Sequence, residues 1–219
     1  MTPARQAGRT LAWVGLFGAA FAFVESAVVV YLRALYYPEG FVLPLKVLAQ
    51  PHLLVEVVRE AATMVMLCSV ALIAGRKAWE RFGYFLVVFG VWDIFYYVWL
   101  KAILDWPASA LDWDVLFLIP VPWIGPVMAP FLVALAMVGC GAALCLRIAG
   151  GRPFRPPVLA WGFGVAGTAL LLLSFIGDTD ATLRGVQPQD YRFDLLAGGL
   201  VLLVAGFTMG WRSQSKRKP

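Results

Sequence analysis

The chain contains six stretches of mostly apolar residues, and these stretches limit its fold more than any other feature. A helix that crosses the hydrocarbon layer of a membrane needs about 20 such residues. The stretches cover residues 11–35, 52–74, 82–104, 126–147, 158–177 and 193–211. Each of them predicts one membrane-spanning helix, and the sequence lacks the short alternating segments of a membrane β-barrel.

Composition argues against the alternative of a water-soluble domain. Hydrophobic residues make up 61% and charged residues 14% of the 219 residues. Soluble domains average roughly 45–50% apolar and about 25% charged residues. Because a soluble fold of this size cannot bury so much apolar surface, we predict an all-α fold, a polytopic six-transmembrane-helix bundle. Residues 1–219 form its single transmembrane domain.

The first apolar stretch follows Arg5 and Arg9, as the apolar core of a signal peptide does. It continues past Glu25 to about Leu35, which is longer than such a core. We therefore predict an uncleaved first helix.

Basic residues in the connecting segments predict the orientation, because short cytoplasmic loops collect Lys and Arg. One set of segments holds 12 of the 18 basic residues and a single acid, Glu80. These basic residues are Arg5, Arg9, Arg76, Lys77, Arg81, Arg147, Arg152, Arg155, Arg212, Lys216, Arg217 and Lys218. The opposite segments carry Glu39, Asp105, Asp112, Asp114, Asp178, Asp180 and Asp190. We expect a multi-pass protein of a plasma or bacterial inner membrane with both termini in the cytoplasm.

The segment 105–125, between the third and fourth stretches, is rich in aromatic residues and proline. One prediction is a short interfacial helix over residues 111–119, with Asp112 and Asp114 in water and the apolar side chains on the membrane surface. The other prediction is a re-entrant lid over an outer cavity.

Charged residues inside the apolar stretches are concentrated in the first three. They are Glu25, Arg33, Glu56, Arg59, Glu60, Asp93 and Lys101, whereas the last two stretches have uncharged cores. A charge at the centre of a bilayer costs about 2.5–3.5 kcal/mol or more. We therefore expect these side chains to face the bundle interior, to find partners there and to mark a functional site.

Three of these carboxylates are predicted to share one depth in the membrane. With a rise of about 1.5 Å per residue, Glu25, Glu60 and Asp93 lie about 15, 12 and 16 Å from the outer ends of their helices. Carboxylates gathered in this way repel one another, so we expect at least one to hold a proton. Arg33 and Lys101 lie two helical turns further out than Glu25 and Asp93, on the same broad faces.

These residues predict an outward-facing ligand pocket between the first three helices. Its expected lining is Glu25, Glu60, Asp93, Arg33, Arg59, Lys101, Tyr97 and Glu56. Such a pocket suits the binding or transport of a small solute or ion, with proton coupling as an option. Three alternatives stay open: a membrane-embedded enzyme that uses carboxylate acid–base chemistry on a lipid-like substrate, a non-catalytic subunit or assembly factor of a membrane complex, and an ion-pair network that only fixes the bundle.

Metal and cofactor binding have little support in the sequence. His52, Glu56 and Glu60 lie on one helical face and form a weak candidate metal site. The chain has only this one histidine, at the start of its helix, and its three cysteines lack metal-ligand spacing. We predict no metal and no cofactor.

The remaining features concern partners. Residues 162–167 match the pattern GxGxxG, but they lie inside an apolar stretch, which favours helix packing over dinucleotide binding. The net charge is +5 because basic residues collect in the segments that we expect in the cytoplasm. The charge therefore reports the orientation in the membrane, and we expect no nucleic-acid partner. The expected partners are the lipid bilayer and a small solute, ion or lipid-like ligand. A homo-oligomer or a membrane-complex partner is left open.

Overall fold

Six long helices form the fold, as the apolar stretches predict. The structure, a computed structural model, describes residues 2–37, 50–177, 179 and 190–212. Each helix is long and apolar enough to cross a membrane. The helices are α1 (Pro3–Tyr36), α2 (Gln50–Ala74), α3 (Ala78–Leu104), α4 (Met128–Ala149), α5 (Val158–Ile176) and α6 (Phe193–Arg212).

The two ends of the bundle differ in their connections. At one end, which we call the basic end, α2 leads to α3 and α4 leads to α5, through segments that carry Arg76, Lys77, Arg152 and Arg155. At the opposite end, the hairpin end, α3 leads to α4 through two β-strands. Several residues used to predict the orientation lie outside the described residues: Glu39, Asp178, Asp180, Lys216, Arg217 and Lys218.

Local sequence determines where α3 begins and ends. The carboxylate of Glu80 accepts hydrogen bonds from the backbone N–H groups of Arg76 (2.9 Å) and Lys77 (3.1 Å). Peptide groups at the first turn otherwise lack partners, so this contact stabilises the helix start. At the other end Asp105 has a left-handed φ of 52°, and the helix stops. Between these points α3 spans 27 residues, or about 40 Å.

Helix α3 lies at the centre of the packing. It contacts α1, α2 and α4, whereas α5 and α6 pair with each other and meet the other helices mainly through α4. The α3–α4 contact needs Gly90, because a Cβ atom there would lie 2.6 Å from the carbonyl oxygen of Ala134. The α5–α6 contact needs Gly167 in the same way, because its Cβ would lie 2.8 Å from the carbonyl oxygen of Gly199. Small residues at such positions let helix backbones approach closely.

A β-hairpin occupies the segment in which we predicted an interfacial helix, so that prediction was wrong. Strand β1 (Trp113–Phe117) pairs antiparallel with β2 (Trp123–Pro126). The aromatic and β-branched residues of this segment favour strands, and Pro120 and Pro122 between the strands oppose a helix.

The hairpin lies across the end of the bundle and touches both halves of it. The ring of Phe117 packs near those of Phe89 and Trp92 on α3, each at 6.2 Å between centroids. On the other side, the ring of Trp123 stacks on Phe175 of α5 at 6.2 Å. The second prediction for this segment, a re-entrant lid over an outer cavity, stays a prediction.

Candidate functional site

A polar cavity of about 60 Å³ lies between α1, α2, α3 and β1. The three carboxylates that were predicted to share one depth all line it. The predicted site residues that line this cavity are Glu25, Arg59, Glu60, Asp93 and Tyr97. From the hairpin, Val115, Leu116 and Phe117 cover the cavity. The polar cavity is therefore the place where the buried charge of the first three helices converges.

One wall of the polar cavity is an ion-pair cluster between α1 and α2. Arg59 pairs with the carboxylate of Glu25 and, at 2.7 Å between Nη2 and Oε2, with Glu56. The hydroxyl of Thr63 also donates to Glu25 at 3.2 Å. Glu25 and Glu56 thus have a basic partner, as expected for an ion-pair network that fixes the bundle.

Glu60 links α2 to the hairpin. Its carboxylate accepts a hydrogen bond of 2.8 Å from the backbone N–H of Leu118, just after β1. A peptide group inside a protein needs such a partner, because no water is there to take its place. Glu60 therefore holds the hairpin over the polar cavity.

Asp93, like Asp114 on β1, lacks a complete set of hydrogen-bond partners. Its Oδ2 atom is buried and has no hydrogen-bond partner among the described residues. The same holds for the indole Nε1 of the neighbouring Trp92, which also lines the polar cavity. An unpaired buried polar group costs about 1–3 kcal/mol. The cavity has room for a few waters or one ion. A cation or a proton can satisfy the carboxylate oxygen, whereas the indole N–H needs an acceptor such as water.

Asp114 on β1 is a buried carboxylate that the sequence reasoning assigned to water. Its Oδ1 lies 3.4 Å from Nη2 of Arg33, whereas its Oδ2 is buried without a hydrogen-bond partner among the described residues. Burial raises the pKa of Asp114 to about 6, although the charge of Arg33 and the hydrogen bonds act in the opposite direction. Asp114 is close enough to Asp93 for the two carboxylates to repel each other.

Arg33 therefore holds the hairpin instead of lining the polar cavity. Besides Asp114 it contacts Trp106, with its guanidinium carbon 3.8 Å from the ring centroid. The sequence offered one signal for this contact. Arg33 needs a buried partner, and Asp114 sits in an aromatic run that favours a half-buried strand. Thr63 was also missed, although it lies one turn from Glu60 on α2.

Lys101 does not reach the site, contrary to the prediction. Its ammonium group bonds the carboxylate of Asp105 at 2.7 Å, and its side chain is 51% exposed. A lysine has a flexible stem that lets its charge reach water while the stem covers apolar surface. The residue spacing gave the position of Lys101 along α3 but not the direction in which its side chain points.

The candidate metal site on α2 does not form. His52 is exposed and bonds the hydroxyl of Tyr36, while Glu56 turns to Arg59 and Glu60 to the hairpin. Within the described ranges, no group of three or more His, Cys, Asp or Glu side chains could hold a metal ion.

The charges around the polar cavity do not balance. Three buried carboxylates line it and two more lie beside its lining, against two guanidinium groups, Arg33 and Arg59, in the described part of the chain. The carboxylates are Glu25, Glu56, Glu60, Asp93 and Asp114. Buried ions without compensation are strongly unfavourable, so such groups take up protons or bind cations. The site therefore has the electrostatics of a proton or cation site.

The polar cavity lies far from the basic end. Asp93 is about 22 Å along α3 from Ala78, and Tyr97 is about 28 Å away. Helix α4 begins at this same level, because the backbone N–H of Val127 bonds Asp112 beside the buried Asp114. Helices α1 and α3 continue past the cavity, whereas α4 does not.

No family model matches this chain, and neither a curated protein nor a solved structure matches it.

Proposed function

We propose that the six helices span a cell membrane with the basic end and both termini in the cytoplasm. Two features of the basic end support this orientation. Its connecting segments carry Arg76, Lys77 and Arg152, as cytoplasmic loops do. Trp79 and Trp161 lie within the first turns of α3 and α5 at the same end, where an aromatic belt meets the membrane surface.

This placement puts the polar cavity near the outer face of the membrane. A hydrocarbon layer is about 30 Å thick, and Tyr97 lies about 28 Å from the basic end. Counting from the outer ends of α1–α3 had put the carboxylates near the middle of the bilayer. Helix α4 has 22 residues and starts at the level of the cavity. If α4 spans the hydrocarbon layer, the cavity lies near the outer surface of the membrane and not at its middle. The hairpin then separates the cavity from the outer solution.

Within this placement, we propose that the chain binds a proton or a small monovalent cation at Asp93, as a small-solute or ion transport protein does. The observation that carries the proposal is the unpaired, buried Oδ2 of Asp93 in a cavity with excess negative charge. A proton or cation at this point supplies the missing partner and part of the missing charge.

The volume of the cavity favours this function over the alternative of an enzyme with a lipid-like substrate. Sites for organic ligands usually measure about 300–1,000 Å³, whereas this cavity measures about 60 Å³. It has room for waters or one ion beneath the closed hairpin. A larger solute could enter the cavity only if the hairpin moved away from it.

The experiment is a stability titration of the purified protein in detergent with sodium, potassium and methylammonium chloride, and with pH. A ligand at about 100 times its Kd stabilises the folded state by about 2.7 kcal/mol. We expect at least one cation, or the proton, to raise the unfolding midpoint of the wild type. Asp93→Asn should fold and lose this response, and Glu60→Gln should weaken it.

The matched control is Asp190→Asn, which removes an exposed acid outside the helices and should respond as the wild type does. The proposal is wrong if Asp93→Asn responds to every cation and to pH as the wild type does. If Asp93→Asn and Glu60→Gln both fail to fold, the buried charge is structural.

A further inference from the structure

An apolar cleft of about 540 Å³ lies between α3, α4, α5 and α6. It begins near the basic end at Trp79 and passes Phe82, Cys140, Gly164 and Phe207. We call it the apolar cleft. None of the buried carboxylates lines it, and its volume is that of a site for an organic ligand.

A smaller cavity of about 280 Å³ adjoins the apolar cleft at the basic end. The two cavities share Trp79 and Phe154, and the smaller one is also lined by Lys77 and Arg152. Both basic side chains are on exposed residues, and neither forms an ion pair with another described residue. We call this cavity the basic mouth.

Another arginine at this end is already engaged in the fold. Arg147 donates from Nε to the carbonyl oxygen of Pro153 and from Nη2 to that of Trp211, at 3.4 and 3.0 Å. Lys77 and Arg152 differ from it, because they form no ion pair with another described residue and line a cavity that adjoins an apolar space. An apolar cleft with two cations at one end complements an amphiphile with an anionic head.

We propose that the apolar cleft and the basic mouth bind one anionic phospholipid, with an acyl chain in the cleft and the phosphate between Lys77 and Arg152. The inference rests on the proposed membrane placement but not on the role of Asp93. Basic pockets between helices on the cytoplasmic side suit anionic lipid headgroups. A peptide is a poorer occupant, because its N–H and C=O groups would meet apolar walls without partners.

The first test is native mass spectrometry of the detergent-purified full chain with phosphatidylglycerol and, in parallel, phosphatidylcholine of the same acyl chains. We expect one tightly held phosphatidylglycerol and a clear preference over phosphatidylcholine. Each cation near a lipid surface contributes about a fivefold gain in affinity. The double variant Lys77→Gln/Arg152→Gln should therefore bind phosphatidylglycerol about 30-fold more weakly. Arg5→Gln/Arg9→Gln, with the same loss of charge on exposed residues of α1, should bind normally.

The second test fills the cleft. Gly164 and Gly162 are both on α5, and a Cβ atom at either position meets no atom within 4 Å. Only Gly164 lines the apolar cleft. Gly164→Leu should fold as the wild type does and bind at least tenfold less phospholipid, whereas Gly162→Leu should bind it normally.

Equal binding of the two lipids by the wild type overturns the proposal. Unchanged binding in Gly164→Leu also overturns it, because the lipid then lies outside the cleft. The two proposals can fail separately. Asp93→Asn tests the cation response of the polar cavity and should leave phospholipid binding unchanged, whereas Gly164→Leu tests phospholipid binding in the apolar cleft.

Discussion

The polar cavity and the apolar cleft lie in one bundle and have opposite character. The polar cavity measures about 60 Å³ and is lined by three buried carboxylates, with two more beside them, whereas the apolar cleft measures about 540 Å³ and has no buried charge in its lining. The cavity with the greater volume is therefore not the one that we propose as the proton or cation site. The proposed site rests on the unpaired oxygen of Asp93 and on the excess of negative charge around it.

The difference between the two regions follows from the helices that build them. Helices α1, α2 and α3 contribute nearly all the charged groups of the polar cavity, and the hairpin adds Asp114. Helices α4, α5 and α6 pack through small and apolar residues. Ion pairs and hydrogen bonds therefore dominate one region, and close backbone contact dominates the other. Three changes test this contrast.

The largest effect is expected for Arg59→Met. This change leaves Glu25 and Glu56 buried without their basic partner. Breaking a buried ion pair in this way costs about 3–5 kcal/mol. We expect the free energy of unfolding in mixed micelles to fall by that amount. Lys101→Met is the control, because its ion pair is exposed, and it should be nearly neutral. Equal losses of unfolding free energy in Arg59→Met and Lys101→Met would contradict the claim that the buried ion pairs stabilise the fold more than the exposed one does.

The second effect is the pH dependence of the free energy of unfolding that we expect from Asp114. Its pKa of about 6 lies above the usual 3.8, so the folded state holds this proton more tightly than the unfolded state does. The contribution of Asp114 to stability is therefore most favourable below about pH 4 and declines until about pH 6. Two pKa units correspond to up to about 3 kcal/mol.

Asp114→Asn should remove this decline. The measurement is the free energy of unfolding between pH 4 and pH 7 for the wild type and the variant. The difference between the two curves reports Asp114 together with its repulsion of Asp93, and the same comparison in the Asp93→Asn background separates the two contributions. Parallel curves would contradict the buried position of this carboxylate.

A smaller effect is expected where the two regions join, at the α3–α4 contact. The added methyl group of Gly90→Ala would lie 2.6 Å from the carbonyl oxygen of Ala134. Overpacking of this kind costs about 1–3 kcal/mol. In Gly139→Ala on α4 the methyl group meets no atom within 4 Å, so this control should be neutral or slightly stabilising. Thermal unfolding of both variants measures the difference, and a neutral Gly90→Ala would contradict the close contact.

The sequence predicted the helices well because hydrophobic length is a local property. All six were found, and α5, predicted over residues 158–177, covers Val158–Ile176. The common level of Glu25, Glu60 and Asp93 was also predictable, because the rise per residue of a helix is constant. In the structure all three line one cavity, and its role as a ligand site stays a prediction.

The direction of side chains and the hairpin were harder to predict. Spacing gives the height of Lys101 on α3, but a long flexible side chain chooses between the cavity and water after folding. Asp114 was placed in water because its segment was treated as a surface helix, and only the pairing of β1 with β2 buries it. Such pairing depends on contacts between distant residues, with Arg33 and Glu60 here, and local patterns do not contain them.

Infrared difference spectroscopy of Asp93 tests the central claim most directly. The protein in lipid vesicles is titrated with pH and with sodium while the carboxyl bands are recorded. A carboxyl that takes up a proton gains a carbonyl band, and one that binds a cation shifts its carboxylate band. We predict one of these changes in the wild type and in Asp190→Asn. In folded Asp93→Asn the bands of Asp93 should be lost, while the carbonyl band of Asp114 should remain. Identical difference spectra for the wild type and Asp93→Asn would contradict the assignment of the polar cavity as the functional site.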